Sequence, residues 1–270
     1  MPSVSDWFEN FLQKIDGRRQ VITVIGTGGK TSLIWRLAAY FGGTPAPERA
    51  VGPIRKILVT PTTKMLVPSP DTGFYERYYG LGGLPPVTAP GVTLAGNFNK
   101  TSGKLESFPL DKLKSMIKGY DHVLIEGDGS QGLPFKAWDK DEPVVPAFTN
   151  LTVGILPLKD LGKPVSEKLV HRMQLFISLT GASKGELIKQ EHVLRLITGR
   201  ASRAGGGNLP GLFSRARGKK ILFFNQVEDK ASLNHARELV KNLPGDFRKE
   251  LSGIIAGSIR EDRVVELPLN

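Results

Sequence analysis

The stretch Val21 to Ala38, VITVIGTGGKTSLIWRLA, limits the folds open to this chain more than any other part of it. An apolar, β-branched run from Val21 to Ile25 breaks at glycines and restarts after Lys30 with helical spacing. Strand, tight loop and helix in that order form the setting a phosphate-binding loop requires. Glycines let backbone N–H groups turn inward on an anion, and a helix beginning near Lys30 adds its positive N-terminal end. Lys30, expected to be exposed at the helix start, adds a full charge, and Thr31 or Ser32 offers a hydroxyl to Mg2+. The common spacing G-x-x-x-x-G-K-[ST] would put a glycine at position 24, where this chain has Val24. The loop is therefore the shorter form Gly26-Thr27-Gly28-Gly29-Lys30-Thr31. Glycines also serve tight turns for steric reasons alone. Here strand, loop and helix agree, and the balance goes to nucleotide or phosphate binding.

A second strand points to the same chemistry. His122 to Ile125 is apolar and runs into Glu126-Gly127-Asp128-Gly129-Ser130. Acidic residues at the carboxyl end of a buried strand are what such a loop needs. One orients hydrated Mg2+ at the Thr31 hydroxyl, and another positions or activates a water or a substrate nucleophile. Residues two apart in an extended segment point to one side, so Glu126 and Asp128 are placed to face one metal–phosphate unit. An Asp-Gly turn after a strand is the structural alternative. Catalytic roles are therefore expected at Lys30, Glu126 and Asp128, and metal ligation at Thr31, Glu126 and Asp128. Thr62 and Thr63 follow another strand, Ile57 to Thr60, and are candidates for phosphate or for the metal's water shell; a threonine-rich turn explains them equally.

Around these landmarks strands alternate with helices. Amphipathic helices are expected at Ser5 to Ile15, Ser32 to Phe41, Leu110 to Lys118, Ser166 to Leu179 with Ser166 as cap, within Gly185 to Thr198, and at Ser232 to Asn242. Further strands are expected at Leu151 to Leu156, Ile221 to Phe224 and Ser252 to Ala256, and two more, Val92 to Ala95 and Lys104 to Phe108, around a turn at Asn97 to Gly103. The pattern predicts one domain over residues 1–270, a three-layer α/β/α, P-loop NTPase-like fold with a mostly parallel sheet. Residues 68–108, rich in proline, glycine and tyrosine at their start, are read as an insertion or lid. Ligand is expected beyond the carboxyl ends of the strands.

The chain has no cysteine. That excludes a disulfide scaffold, a zinc–thiolate site and any protein thiol or persulfide chemistry. No segment has the length and apolarity of a membrane span, so a cytoplasmic location with no membrane partner is expected. The formal charge of +11 is uneven. From His192 to Val227 there is no acidic residue, while Arg195, Arg200, Arg203, Arg215, Arg217, Lys219 and Lys220 fall there beside a glycine-rich loop at Ala204 to Pro210. Nucleic acid is not the expected partner, because aromatic interleaving and a reading motif are missing. A solvated face and a pocket for a phosphorylated small molecule are both open.

After the strand Ile221 to Phe224 comes Asn225-Gln226-Val227-Glu228-Asp229. It is similar to the N-K-x-D turn by which GTP-binding proteins read guanine. Gln226 replaces the lysine, Glu228 stands where the aspartate belongs, and Asp229 is one place too far. A plain strand-end turn is the simpler account. Lys136 and His171 are single polar residues in ordinary contexts.

Together these residues resemble the YqeC-like family, accessory or cofactor-biosynthesis proteins of selenium-dependent molybdenum hydroxylases. The likeness rests on Ile25 to Ser32, Thr62-Thr63-Lys64-Met65 and Glu126 to Ser130. It continues through Gly132 to Ala137, Glu142-Pro143-Val144-Val145-Pro146, Gly162-Lys163-Pro164 and Val170-His171-Arg172. At Gly127 the family more often has alanine; with Gly127 directed away from the site, the change is expected to loosen the loop and leave its chemistry alone. The resemblance draws Gly26, Thr27, Gly28, Gly29, Lys30, Thr31, Ser32, Thr62, Thr63, Lys136, His171 and Asn225 into the expected binding site for ATP or GTP with Mg2+.

It further implies nucleotide-dependent help in maturing a selenium- and molybdenum-containing hydroxylase, with a molybdopterin-type cofactor or the hydroxylase itself as partner. Without cysteine the chain cannot carry selenium as a perselenide. NTP hydrolysis or phosphoryl or nucleotidyl transfer is the leading expectation, and a nucleotide-gated accessory protein the second. A Mur-type amide ligase, whose short loop is alike, ranks third because those enzymes need extra domains.

Overall fold

The computed structural model describes residues 1–15, 19–43, 54–69, 72–75, 77–79, 89–200 and 209–269. In chain order its elements are α1 (Val4–Leu12), β1 (Gln20–Gly26), α2 (Lys30–Gly42), β2 (Lys56–Pro61), β3 (Lys64–Leu66), β4 (Arg77–Tyr79), β5 (Gly91–Ala95), β6 (Asn97–Asn99), β7 (Lys104–Glu106), α3 (Leu110–Met116) and β8 (His122–Glu126). There follow β9 (Phe135–Lys136), β10 (Leu151–Pro157), β11 (Val170–His171), α4 (Met173–Thr180), α5 (Gln190–Thr198), β12 (Lys219–Asn225), α6 (Lys230–Asn242), α7 (Gly245–Lys249), β13 (Gly253–Ser258) and β14 (Arg263–Leu267).

The main sheet has nine strands in the order β14-β13-β12-β10-β1-β8-β2-β5-β4. Every pairing is parallel except that of β14 with β13. Parallel strands need both faces covered, and the central ones are accordingly apolar throughout. Residue alternation sorts them by face. Ile22 and Val24 of β1, Ile221 and Phe223 of β12, and Ile255 of β13 pack with Phe8 of α1 and Leu33, Ile34 and Leu37 of α2. On the opposite face Leu222, Phe224 and Ile254 meet Phe176, Leu196 and Leu239 of α4, α5 and α6. Val21, Val123 and Ile125 there meet Leu113 of α3. The result is the expected three-layer α/β/α architecture.

The connection from β1 through α2 lands on β2, leaving β8 to slot in between, while β10 takes the other flank of β1. Strand order thus runs outward from β1 on both sides, through β2 first and β10 later, and such a switch point is where α/β sheets hold ligands beyond the carboxyl ends of their strands. It is where the glycine loop sits.

Tertiary pairing overrides several local expectations. Residues 166–169 form a turn, with Ser166 O accepting from Leu169 N and Val170 N, both at 3.0 Å. Val170–His171 then pairs with Phe135–Lys136, so α4 starts only at Met173 and Ser166 does not cap it. The turn before β7 closes a β6–β7 hairpin, which joins β3 in a small antiparallel sheet; β5 instead runs parallel to β2 in the main sheet. The span read as an insertion or lid therefore supplies β4 and β5 to the main sheet, while residues 80–88 within it lie outside the described residues. Among the described residues no helix is long and apolar enough to cross a membrane.

Candidate functional site

The loop between β1 and α2 is held by backbone geometry that side chains would disrupt. Gly26 has φ +99°, and a Cβ there would fall 2.1 Å from the Ile155 carbonyl oxygen. Gly28 has φ +68°, and its Cβ would meet Pro157 at 2.5 Å. Both values lie in the region that favours glycine. The loop is thus pressed onto the end of β10, where Thr27 N donates to Ile155 O at 2.8 Å. Thr27 Oγ1 donates to Pro134 O at 2.6 Å. At the start of α2 the N-cap is Gly29, which has no side chain to satisfy the first-turn N–H groups.

Lys30 corrects the expectation of an exposed cation. It is 5% exposed, its Nζ donates to Gly26 O at 2.6 Å, and it lies 3.4 Å from Asp128 Oδ1. Asp128, fully buried, is the hub of the site. Both its oxygens accept from Gly26 N at 3.1 Å, and Oδ2 also accepts from Trp138 Nε1 at 2.7 Å. Lys136, fully buried as well, stands 3.4 Å from Asp128 Oδ2 and donates to Gly129 O at 2.6 Å. It also pairs with Glu142 at 2.9 Å, which in turn is gripped by both Nη1 and Nη2 of Arg172. The short β9–β11 ladder sets His171 opposite Lys136. Burial, then Arg172 and Lys136, lower the His171 pKa below its ordinary 6.5.

Glu126 ends β8 beside the loop. Its Oε2 accepts from Thr31 Oγ1 at 2.8 Å. Burial raises its pKa above the ordinary 4.5, against the pull of Lys30 and Thr31. Ser32 is exposed, so Thr31 is the hydroxyl that meets the carboxylate. Thr62 is structural in its contacts, its N donating to Glu126 O at 2.9 Å and its Oγ1 to Val144 O at 2.6 Å. Thr63 Oγ1 is buried with no hydrogen-bond partner among the described residues.

A hydroxyl and a carboxylate side by side are the hard oxygen donors Mg2+ takes, and that ion usually needs only one or two from protein when phosphates supply the rest. The residues present fit it. Among the described residues no group of three or more His, Cys, Asp or Glu is placed to hold a metal alone.

Asn225 closes the far wall. Its Nδ2 donates to Gly28 O at 2.7 Å, and its Oδ1 accepts from Ile259 N at 3.0 Å. Asp229 is the N-cap of α6, accepting from Ser232 N at 2.7 Å. Of the basic stretch, Arg200 pairs with Asp246, Lys220 with Glu250 at 2.5 Å, and Arg215 lies 3.9 Å from Asp141. Arg203 and the glycines 205–207 lie outside the described residues.

Sequence reasoning missed Trp138 and the bridging of Lys136 to Arg172 through Glu142. Trp138 carries no local signal, since its partner Asp128 is ten residues away across a turn. Gly127 was expected to loosen the loop. Its packing says otherwise: a Cβ would meet Thr23 Cγ2 and Ile25 Cγ2, each at 2.8 Å.

Fold and site define a three-layer α/β protein with a glycine loop, a buried lysine–aspartate pair and a threonine–glutamate pair at the carboxyl edge of its parallel sheet. The family model described as "YqeC protein" matches residues 22–174, more than half of the chain, and the chain belongs to that family. It is 30% identical over 183 residues to "Uncharacterized protein YqeC" of Escherichia coli (strain K12), covering 67% of this chain and 68% of that relative. The loop, both acids, Lys136, Glu142 and Arg172 fall inside the matched span; Asn225 lies beyond it.

Proposed function

We propose that this protein binds a nucleoside triphosphate with Mg2+ at the Gly26–Thr31 loop and hydrolyses it or transfers its phosphoryl or nucleotidyl group. The observation that carries this is the convergence of the Lys30 ammonium, the uncapped start of α2 and the Thr31–Glu126 pair on one loop at the switch point of the sheet. First-turn N–H groups of α2 hold phosphate oxygens. Lys30 has three donors and keeps one on Gly26 O while turning another to phosphate. Thr31 and Glu126 would hold the metal, which when bound would neutralise charge on the phosphate oxygens. Asp128 fixes the loop and balances Lys30 until phosphate takes that role.

We read this chemistry as serving the maturation of a selenium-dependent molybdenum hydroxylase or its molybdopterin-type cofactor, with ATP or GTP as the nucleotide, and the family resemblance supports that reading. A second reading, a nucleotide-gated accessory protein that binds its hydroxylase client, is favoured by one feature: the Asp128 oxygens are engaged by Gly26 N–H and the Trp138 indole, leaving little freedom to activate a water. Calorimetric titration with non-hydrolysable triphosphates, with and without Mg2+, tests the site; no Mg2+-dependent binding would reject it. Phosphate release by the protein alone, compared with release in the presence of client or molybdopterin, separates the two readings.

A further inference from the structure

The turn after β12 is tied to the loop and to the turn after β13 at once. Asn225 Nδ2 reaches Gly28 O, and its Oδ1 takes Ile259 N. Three residues further on, Glu228 Oε1 accepts from Ser258 Oγ at 3.0 Å, beside Ile259. Glu228 Oε2 accepts from Arg260 at 2.8 Å, an arginine whose side chain is 75% exposed. The two turns therefore form one wall that starts in contact with the phosphate loop and runs outward to a fixed, part-buried carboxylate.

We propose that this wall is the base site, and that Glu228 selects guanine. The proposal rests on the reading of the Gly26–Thr31 loop as a triphosphate cradle. Guanine offers two donors on one edge, N1–H and the 2-amino group. Adenine presents a lone pair at N1 and no 2-amino group, so a carboxylate on that edge meets an acceptor. Each carboxylate oxygen has two lone-pair sites, which lets Oε1 keep Ser258 while accepting from the base. The Arg260 contact is an exposed ion pair of small worth, and exchanging it for the base costs little. Ser258 holds the carboxylate in place, and Asn225 holds the turn to the loop.

The test is equilibrium binding of β,γ-imido analogues of GTP, ATP and XTP to the full chain with Mg2+, for the parent and Glu228→Gln. The parent is expected to bind the guanine analogue about 10- to 100-fold tighter than the adenine one, the worth of a good two-point base contact. In Glu228→Gln the new amide donates to the 2-oxo group of xanthine, so preference should move from guanine to xanthine, a switch that a merely structural role for Glu228 does not produce. An adenine analogue bound as tightly as guanine by the parent, or an unchanged guanine preference in the variant, overturns the base assignment while leaving the loop reading intact. Binding of none of the three to the parent overturns both.

Discussion

Lys30 and Asp128 pair across the glycine loop, 3.4 Å apart and both buried, while the same carboxylate takes the Gly26 N–H on both oxygens. One acid thereby fixes the first residue of the loop and the charge at its end. Removing Lys30 breaks a buried ion pair and leaves Asp128 with Lys136 as its remaining close cation. Lys30→Ala should lower folding stability by about 3 kcal/mol and abolish triphosphate binding. Chemical denaturation and calorimetry on the same preparation check it. Parental stability together with parental affinity would deny the pair any role.

The Thr31–Glu126 contact carries the metal prediction. Thr31→Val and Glu126→Gln should each cut the Mg2+-dependent part of nucleotide affinity by about 10-fold or more, with metal-free affinity little changed. Burial raises the Glu126 pKa, so the folded protein holds this proton to higher pH than the unfolded chain. Its contribution to stability is fullest below the unfolded value of 4.5 and is lost as pH rises through the raised folded value. Glu126→Gln should therefore stabilise the ligand-free protein at pH 7, read as a higher denaturant midpoint.

His122 gives stability the opposite pH dependence. Its ring lies 4.8 Å from that of Phe41. Burial first, and Arg55 second, lower its pKa from 6.5 to about 4, against weaker pulls from Glu9 and Asp121. The stability of the neutral ring is complete above pH 6.5 and is lost as pH falls through about 4, a change of about 3 kcal/mol. His122→Phe should flatten that part of the acid limb. Urea midpoints at pH 7, 5 and 4 for both proteins decide it.

Gly127→Ala should destabilise the protein by about 1–3 kcal/mol, the cost of overpacking, because the added methyl is driven between Thr23 and Ile25. An unchanged denaturation midpoint would mean that β1 yields there.

Replacing Arg200, Arg203 and Arg215 together by alanine should weaken binding of a phosphorylated pterin and spare Mg2+-nucleotide binding. Loss of both would put the basic stretch within the nucleotide site.

Much of the candidate site was legible because it is local. Val21 to Ile25, the glycines and the helical spacing after Lys30 lie within one short window, and Glu126 ends an apolar strand. What escaped depends on contacts distant in sequence. The burial of Lys30 follows from Asp128, 98 residues on in the chain. The late start of α4 follows from the pairing of Val170–His171 with Phe135–Lys136, which a helical hydrophobic pattern over 166–179 conceals. β14 is short and closes the sheet antiparallel to β13, a pairing without periodicity strong enough to announce it.

The tie from Asn225 to Gly28 has a consequence for biosynthesis. Gly28 leaves the ribosome well before the amide that buttresses its carbonyl, which lies 197 positions later, and Ile259 N, which orients that amide, comes later still. A nascent chain released near residue 174, where the family match ends, would hold the loop's whole sequence without its outer wall. Under the proposed function, nucleotide capture therefore waits on synthesis past Ile259, and a translation product stalled before that point would carry the loop without trapping nucleotide.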